Sequence, residues 1–105
     1  MVLGDVHEIK LPRGRGRVQY GRRFAVIVQA DDLLALPTIV VCPTSTSTRP
    51  ASFHPEVTID QEQTRIMCEM VGAVAARVLG SHVTHLTSDE MRSVDEALEL
   101  VLDLR

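Results

Sequence analysis

Residues 24 to 43 read FAVIVQADDLLALPTIVVCP, and the way this stretch divides decides what fold the chain can have. Phe24 to Gln29 and Thr38 to Pro43 are β-branched runs of core-strand length, and such residues fit a pleated, buried surface better than a helical turn. Between them Asp31 to Leu36 stops at Pro37, which leaves room for at most one helical turn. Working outward, Val2 to Ile9 alternates loosely, and "EVTID" (Glu56 to Asp60), "TRIMCEMV" (Thr64 to Val71) and "HVTHL" (His82 to Leu86) read as further strands. The first and last of these three show clear alternation of apolar and polar residues. Only the C-terminus reads as a long helix. Thr87 and Glu90 form a capping-box pattern, with Asp89 and Glu90 where the first-turn N–H groups point outward. Met91, Val94, Leu98, Val101 and Leu102 then recur at helical spacing and form one apolar stripe. The expected fold is α+β, mainly β: five or six short strands in a curled antiparallel sheet or small open barrel, closed by one C-terminal helix.

The 105 residues fit a single domain spanning 1–105, small enough that pairing with a second copy would help to stabilise it. Apolar residues make up 45% of the chain, which argues against disorder, and no run of about 18 apolar residues exists to cross a bilayer. The start, MVLGDVHEIK, lacks the basic-then-apolar pattern of a secretory signal. A soluble cytoplasmic protein is the expectation. Charge is segregated: Lys10 to Arg23 holds six basic residues and no acid, leaving five basic against 14 acidic elsewhere in a chain of net charge −3. A local basic patch of this kind attracts phosphate even on an acidic molecule. Cys42 and Cys68 lie in apolar runs without the spacing of a zinc or redox motif and are expected buried and reduced. His7, His54, His82 and His85 are scattered. Neither a metal nor another cofactor is expected.

Four segments, in order, resemble the MazF/PemK/Kid family of toxin endoribonucleases, and the resemblance spans nearly the whole chain. "LGDVH" keeps Gly4, Asp5 and Val6 of the family's opening R-G-D-[VI]-[WY], with Leu3 for the Arg and His7 for the aromatic. "GRVQYGRRFAVIVQ" matches the loop G-x-E-Q-x-G-x-R-P at Gly16, Gln19, Gly21 and Arg23, with Val18 for the Glu and Phe24 for the Pro. "CPTST" matches P-x-T-[ST] at Pro43 and Thr46, with Ser45 at the Thr position. "CEMVG" keeps Cys68 of C-D-Q-x-R, with Glu69 for the Asp and Met70 and Gly72 for the Gln and Arg. The closing helix is also similar. The resemblance implies the small SH3-like barrel of CcdB/PemK-type toxins.

It also implies a sequence-selective endoribonuclease that needs no metal, cleaves single-stranded RNA by attack of the ribose 2′-hydroxyl on its own 3′ phosphate, and so blocks translation and growth. Such a reaction needs a base, an acid and donors for the pentavalent phosphate. Arg23, whose planar fork can meet two phosphate oxygens, Ser45 and Thr46 as hydroxyl donors, and Glu69 as base or organiser are the expected catalytic residues. The register of the hydroxyl could also fall on Thr44. Arg65 lies on the same strand face as Glu69, where it, or the loop arginines, could replace the family's missing Arg. Arg13, Arg15, Arg17, Gln19, Tyr20 and Arg22, with Arg65, are the expected RNA-binding residues, and Tyr20 is the best candidate to stack a base. His7 reads as packing or partner contact. A homodimer and a cognate antitoxin with an acidic, disordered segment are the implied partners. Two alternatives remain: a protein-binding toxin of the same fold, of the gyrase-poisoning CcdB type, or an RNA-binding module without catalysis.

Overall fold

The computed structural model describes residues 1–10 and 23–104. Among these, β1 (Asp5–Ile9), β2 (Phe24–Ile27), β3 (Thr38–Ser45), β4 (Glu56–Ile59), β5 (Glu62–Ile66), β6 (Gly72–Ala75) and β7 (Leu79–His85) precede the helix α1 (Ser88–Leu102). Every strand pairing is antiparallel. The order across the sheet is β4-β5-β3-β2-β1-β7, and β6 also pairs with β3. The link between β2 and β3 contains the single turn expected before Pro37, a 3₁₀ turn at Asp31–Leu33.

The curl of the sheet originates in β3. Its first half, Thr38 to Val41, pairs with β6, and its end, Thr44 and Ser45, pairs with β5. Pro43 sits at the handover. Its carbonyl accepts from Met67 N at 2.8 Å, and its missing N–H falls where one neighbour ends and the next begins, a place a central strand can tolerate proline. Both sheet faces are buried there, which is why β2 and the first part of β3 read as continuous apolar runs. Val26, Cys42 and Ile66 lie on one face with Val94 and Ala97 of α1. Ala25, Ile27, Ile39 and Val41 lie on the other, against Val74, Val78 and Leu79.

The helix forms as its sequence dictates. Thr87 Oγ1 accepts from Glu90 N at 3.1 Å, and Glu90 Oε1 accepts in return from Thr87 N at 2.8 Å. Met91, Val94, Leu98 and Val101 face the core as expected. Leu102 does not: it is exposed in the last turn, where Asp103 takes up a left-handed conformation and ends the helix. The strand count also departs from expectation. Thr64 to Val71 is not one strand: β5 stops at Ile66 and Cys68–Met70 forms a 3₁₀ turn, after which β6 supplies a strand the sequence pattern does not announce. The turn follows from Cys68, which is buried opposite Cys42 and whose N–H turns aside to the Phe53 carbonyl at 3.3 Å. Both cysteines are free and buried.

Gly4 opens β1 with φ of +90°, and a Cβ there would lie 3.1 Å from His85 Cε1 and 3.2 Å from Met91 Sδ. Gly4→Ala is therefore expected to destabilise the fold by roughly 1–3 kcal/mol, from backbone strain in a region L residues avoid and from the displaced side chains; urea denaturation measures it, and an unchanged midpoint would mean that the turn relaxes freely. His7 serves packing. It is buried against β7, its Nδ1 donates to the Gly80 carbonyl at 3.0 Å, and its ring meets His82 edge-on at 5.4 Å.

Candidate functional site

Alternate residues of a strand share a face, and side chains directly opposite across an antiparallel ladder lie about 5 Å apart. Ser45 of β3 stands opposite Arg65 of β5. On the other side, the register that sets Ala25 against Pro43 brings Arg23 opposite Ser45 when it is continued along the same face. Ser45 and Arg65 are thus directly paired, and Arg23, the residue before β2, falls at the same end of the sheet. That end lies where segment 11–22 joins the sheet, since Ile9 N bonds the Arg23 carbonyl at 2.9 Å. Arg13, Arg15, Arg17, Gln19, Tyr20 and Arg22 of that segment lie outside the described residues.

Arg23, Ser45 and Arg65 differ in what holds them. Arg23 is half-buried, and Nη1 donates to the Thr44 carbonyl at 3.3 Å. Arg65 gives Nη2 and Nε to Glu56 Oε1 at 2.8 and 3.2 Å and Nη1 to the Thr48 carbonyl at 2.9 Å. Its pairing with Glu69, expected from a continuous strand, is corrected: Glu69 lies in the 3₁₀ turn after β5, off the strand face that carries Arg65. Of the three hydroxyls, Thr44 is buried and donates to the Phe24 carbonyl at 3.2 Å, a sheet-internal bond that removes it from consideration as a phosphate donor. Ser45 is half-exposed, accepts from Ser47 N and lies 3.2 Å from Ser47 Oγ, and Thr46 is exposed. The hydroxyls available to a ligand are therefore Ser45 and Thr46.

Sequence reasoning missed the partner of Glu69. His54 Nε2 lies 2.7 Å from Glu69 Oε2, and His54 Nδ1 lies 2.6 Å from the Arg49 carbonyl. His54 is placed for this by the backbone on either side of it, since Phe53 and Pro55 accept from Cys68 N and Ile66 N. A carbonyl only accepts, so Nδ1 carries a proton. Burial disfavours a charged ring at this position, but the hydrogen bonds to Glu69 and to the Arg49 carbonyl outweigh it and push His54 above its ordinary value. No local spacing links residues 54 and 69; a histidine just before an alternating strand was the only sign. Behind this pair lie the two buried thiols: the bond to Cys68 and burial push Cys42 up, and the same bond draws Cys68 down. Among the described residues no group of three or more His, Cys, Asp or Glu side chains is placed to hold a metal ion, and no helix is long and apolar enough to cross a membrane.

Fold and site together define a small curled-sheet protein with one closing helix and a cationic, hydroxyl-bearing end suited to an anion. The model for the PemK-like, MazF-like toxin of type II toxin–antitoxin systems matches residues 3–102. A candidate toxin of Mycobacterium tuberculosis is 34% identical over 91 residues, covering 86% of this chain and 85% of that protein. The chain belongs to the PemK/MazF-like toxin family. Among solved structures, the Mycobacterium tuberculosis toxin MazF-mt6 superposes with a TM-score of 0.80 at 17% identity, over 96% of this chain and 98% of that one. A mycobacterial endoribonuclease in complex with its cognate antitoxin gives 0.80 at 18%, over 100% and 97%. MazF of Deinococcus radiodurans gives 0.80 at 14%, over 99% and 97%. At these identities the superpositions speak for the fold, and all three share the curled sheet with its terminal helix.

Proposed function

We propose that this chain is the endoribonuclease toxin of a toxin–antitoxin pair and cleaves single-stranded RNA at selected sequences without a metal ion. The observation that carries the reading is the gathering of Arg23, Ser45 and Arg65 at one end of the sheet, where Arg23 has only the long bond to the Thr44 carbonyl and Arg65 is already engaged by Glu56 and the Thr48 carbonyl. In the reaction the ribose 2′-hydroxyl attacks the adjoining 3′ phosphate, its proton passing to the Glu69 carboxylate. The bond to the 5′ oxygen breaks and that oxygen takes up a proton from solvent water, leaving a 2′,3′-cyclic phosphate and a 5′-hydroxyl end. Arg23 holds the charge that develops on the equatorial oxygens, and Ser45 or Thr46 donates a further hydrogen bond. The arginines of segment 11–22, with Gln19 and Tyr20, grip the flanking strand largely through charge. Solved relatives in complex with antitoxins, the mycobacterial one and the Deinococcus radiodurans MazE–MazF pair, support a protein partner for this chain as well. An acidic antitoxin segment would occupy the same cationic end on a toxin homodimer in the cytoplasm.

Incubation of the purified protein with a long single-stranded RNA in EDTA, followed by mapping of the new ends, tests the reading. Discrete cuts that leave 5′-hydroxyl ends are expected. Intact RNA in the presence of folded protein would overturn it in favour of the protein-binding toxin.

A further inference from the structure

The loop between β3 and β4 begins with the hydroxyls of the site, and two cations hold it at successive carbonyls. Arg65 binds the Thr48 carbonyl and His54 binds the Arg49 carbonyl, at 2.9 and 2.6 Å. Each cation is in turn held by a carboxylate, Arg65 by Glu56 and His54 by Glu69. The two are not equivalent, because a guanidinium keeps its charge at any pH the protein meets while an imidazolium does not. His54 needs a proton on Nδ1 for the carbonyl and a second one shared between Nε2 and the Glu69 oxygen. Remove that second proton and a ring lone pair faces a carboxylate at 2.7 Å, so the contact that fixes Glu69 is lost.

We propose that His54 is a positioning residue of this site: its doubly protonated ring ties Glu69 to the loop that carries Ser45 and Thr46, and the site loosens when the ring gives up a proton. The catalytic consequence rests on the ribonuclease reading; the tie itself does not. The titratable groups that bear on the ring are Glu69 and Cys68 of the turn after β5, with Cys42 of β3 behind Cys68. A ring raised above its ordinary value by folding contributes stability in full below that value, about pH 6.5. That contribution is lost as pH rises through the elevated one. Both thermal stability and turnover should therefore decline as pH rises above about 6.5 and through the elevated value, in step with the ring.

NMR titration of the His54 ring, in the wild type and in Glu69→Gln, reads the tie directly. The wild-type ring is expected to titrate above about 6.5 and to fall back in Glu69→Gln, which keeps the size of the side chain and removes its charge. For catalysis, His54→Asn can still donate to the Arg49 carbonyl but cannot titrate. It is expected to lose about a hundredfold in kcat through misplacement of Glu69, with KM little changed and the alkaline decline in kcat abolished. A ring that titrates at its ordinary value in both proteins overturns the proposal, as does a His54→Asn profile that keeps the wild-type rate and alkaline limb. Should the wild type cut no RNA, the ribonuclease reading falls, and the titration alone decides whether the tie exists.

Discussion

Arg23→Ala is expected to lower kcat/KM for RNA cleavage by about two to three orders of magnitude, the usual cost of removing one preorganised donor from a site of developing negative charge. The expectation follows from position and from partners. Arg23 stands on one side of the cationic end, at the residue before β2, where its carbonyl accepts from Ile9 N and the β2–β3 register, continued, sets it against Ser45. Arg65 on the far side already shares its charge with Glu56. Among the described residues Arg23 has no such carboxylate, so its fork is the charge most available to a phosphate. The structural cost should be small, since the bond to the Thr44 carbonyl is long at 3.3 Å and made at a half-exposed site. Arg23→Lys should recover only part of the rate, as an ammonium keeps the charge but cannot meet two oxygens in a plane. Single-turnover cleavage separates the chemical step from binding. Equal rates for wild type and Arg23→Ala, with matching melting temperatures, would remove Arg23 from the site.

What the sequence disclosed, and what it withheld, divides along the line between local and tertiary causes. The strands read at 24–29 and 38–43, which the structure bounds at Phe24–Ile27 and Thr38–Ser45, and the helix after Thr87 were legible because their determinants sit within a few residues: β-branched runs, and a capping box followed by an apolar stripe. β6 was not, because Gly72–Ala75 is short, built from small residues, and a strand only through the partner that β3 offers it. The end of β5 was hidden for the opposite reason. Met, Cys and Glu carry no turn signal, and the chain bends there because Cys68 is drawn into the core beside Cys42. That bend also decides the site. On a continuous strand Glu69 would have shared a face with Arg65; after the 3₁₀ turn it meets His54, a residue fifteen positions earlier that no spacing rule connects to it.

Ile66→Ala is expected to cost about 2–5 kcal/mol, the range for truncating a fully buried aliphatic side chain when the surroundings collapse only in part. Ile66 is wholly buried among Val6, Phe24, Val26, Val57, Ile59 and the helix residue Val94. Few of its neighbours can move to fill the gap, since they come from strands locked in one sheet and from a helix laid across it. In a domain of this size the melting temperature should fall on the order of 10–20 °C, provided both proteins are compared at the same concentration if a dimer contributes. Arg92→Ala is the control. Its ion pair with Asp89 spans 3.5 Å between side chains that are 71% and 91% exposed, and its loss should be barely measurable. Position gives Ile66 a second effect. Its N–H bonds the Pro55 carbonyl at 2.9 Å, next to His54, so a backbone that settles into the cavity would displace the ring that holds Glu69. Loss of cleavage in Ile66→Ala at temperatures where the variant is still folded would therefore report on the geometry of the His54–Glu69 pair. A midpoint shift no larger than that of Arg92→Ala would instead mean that this core is loose enough to close over the missing atoms.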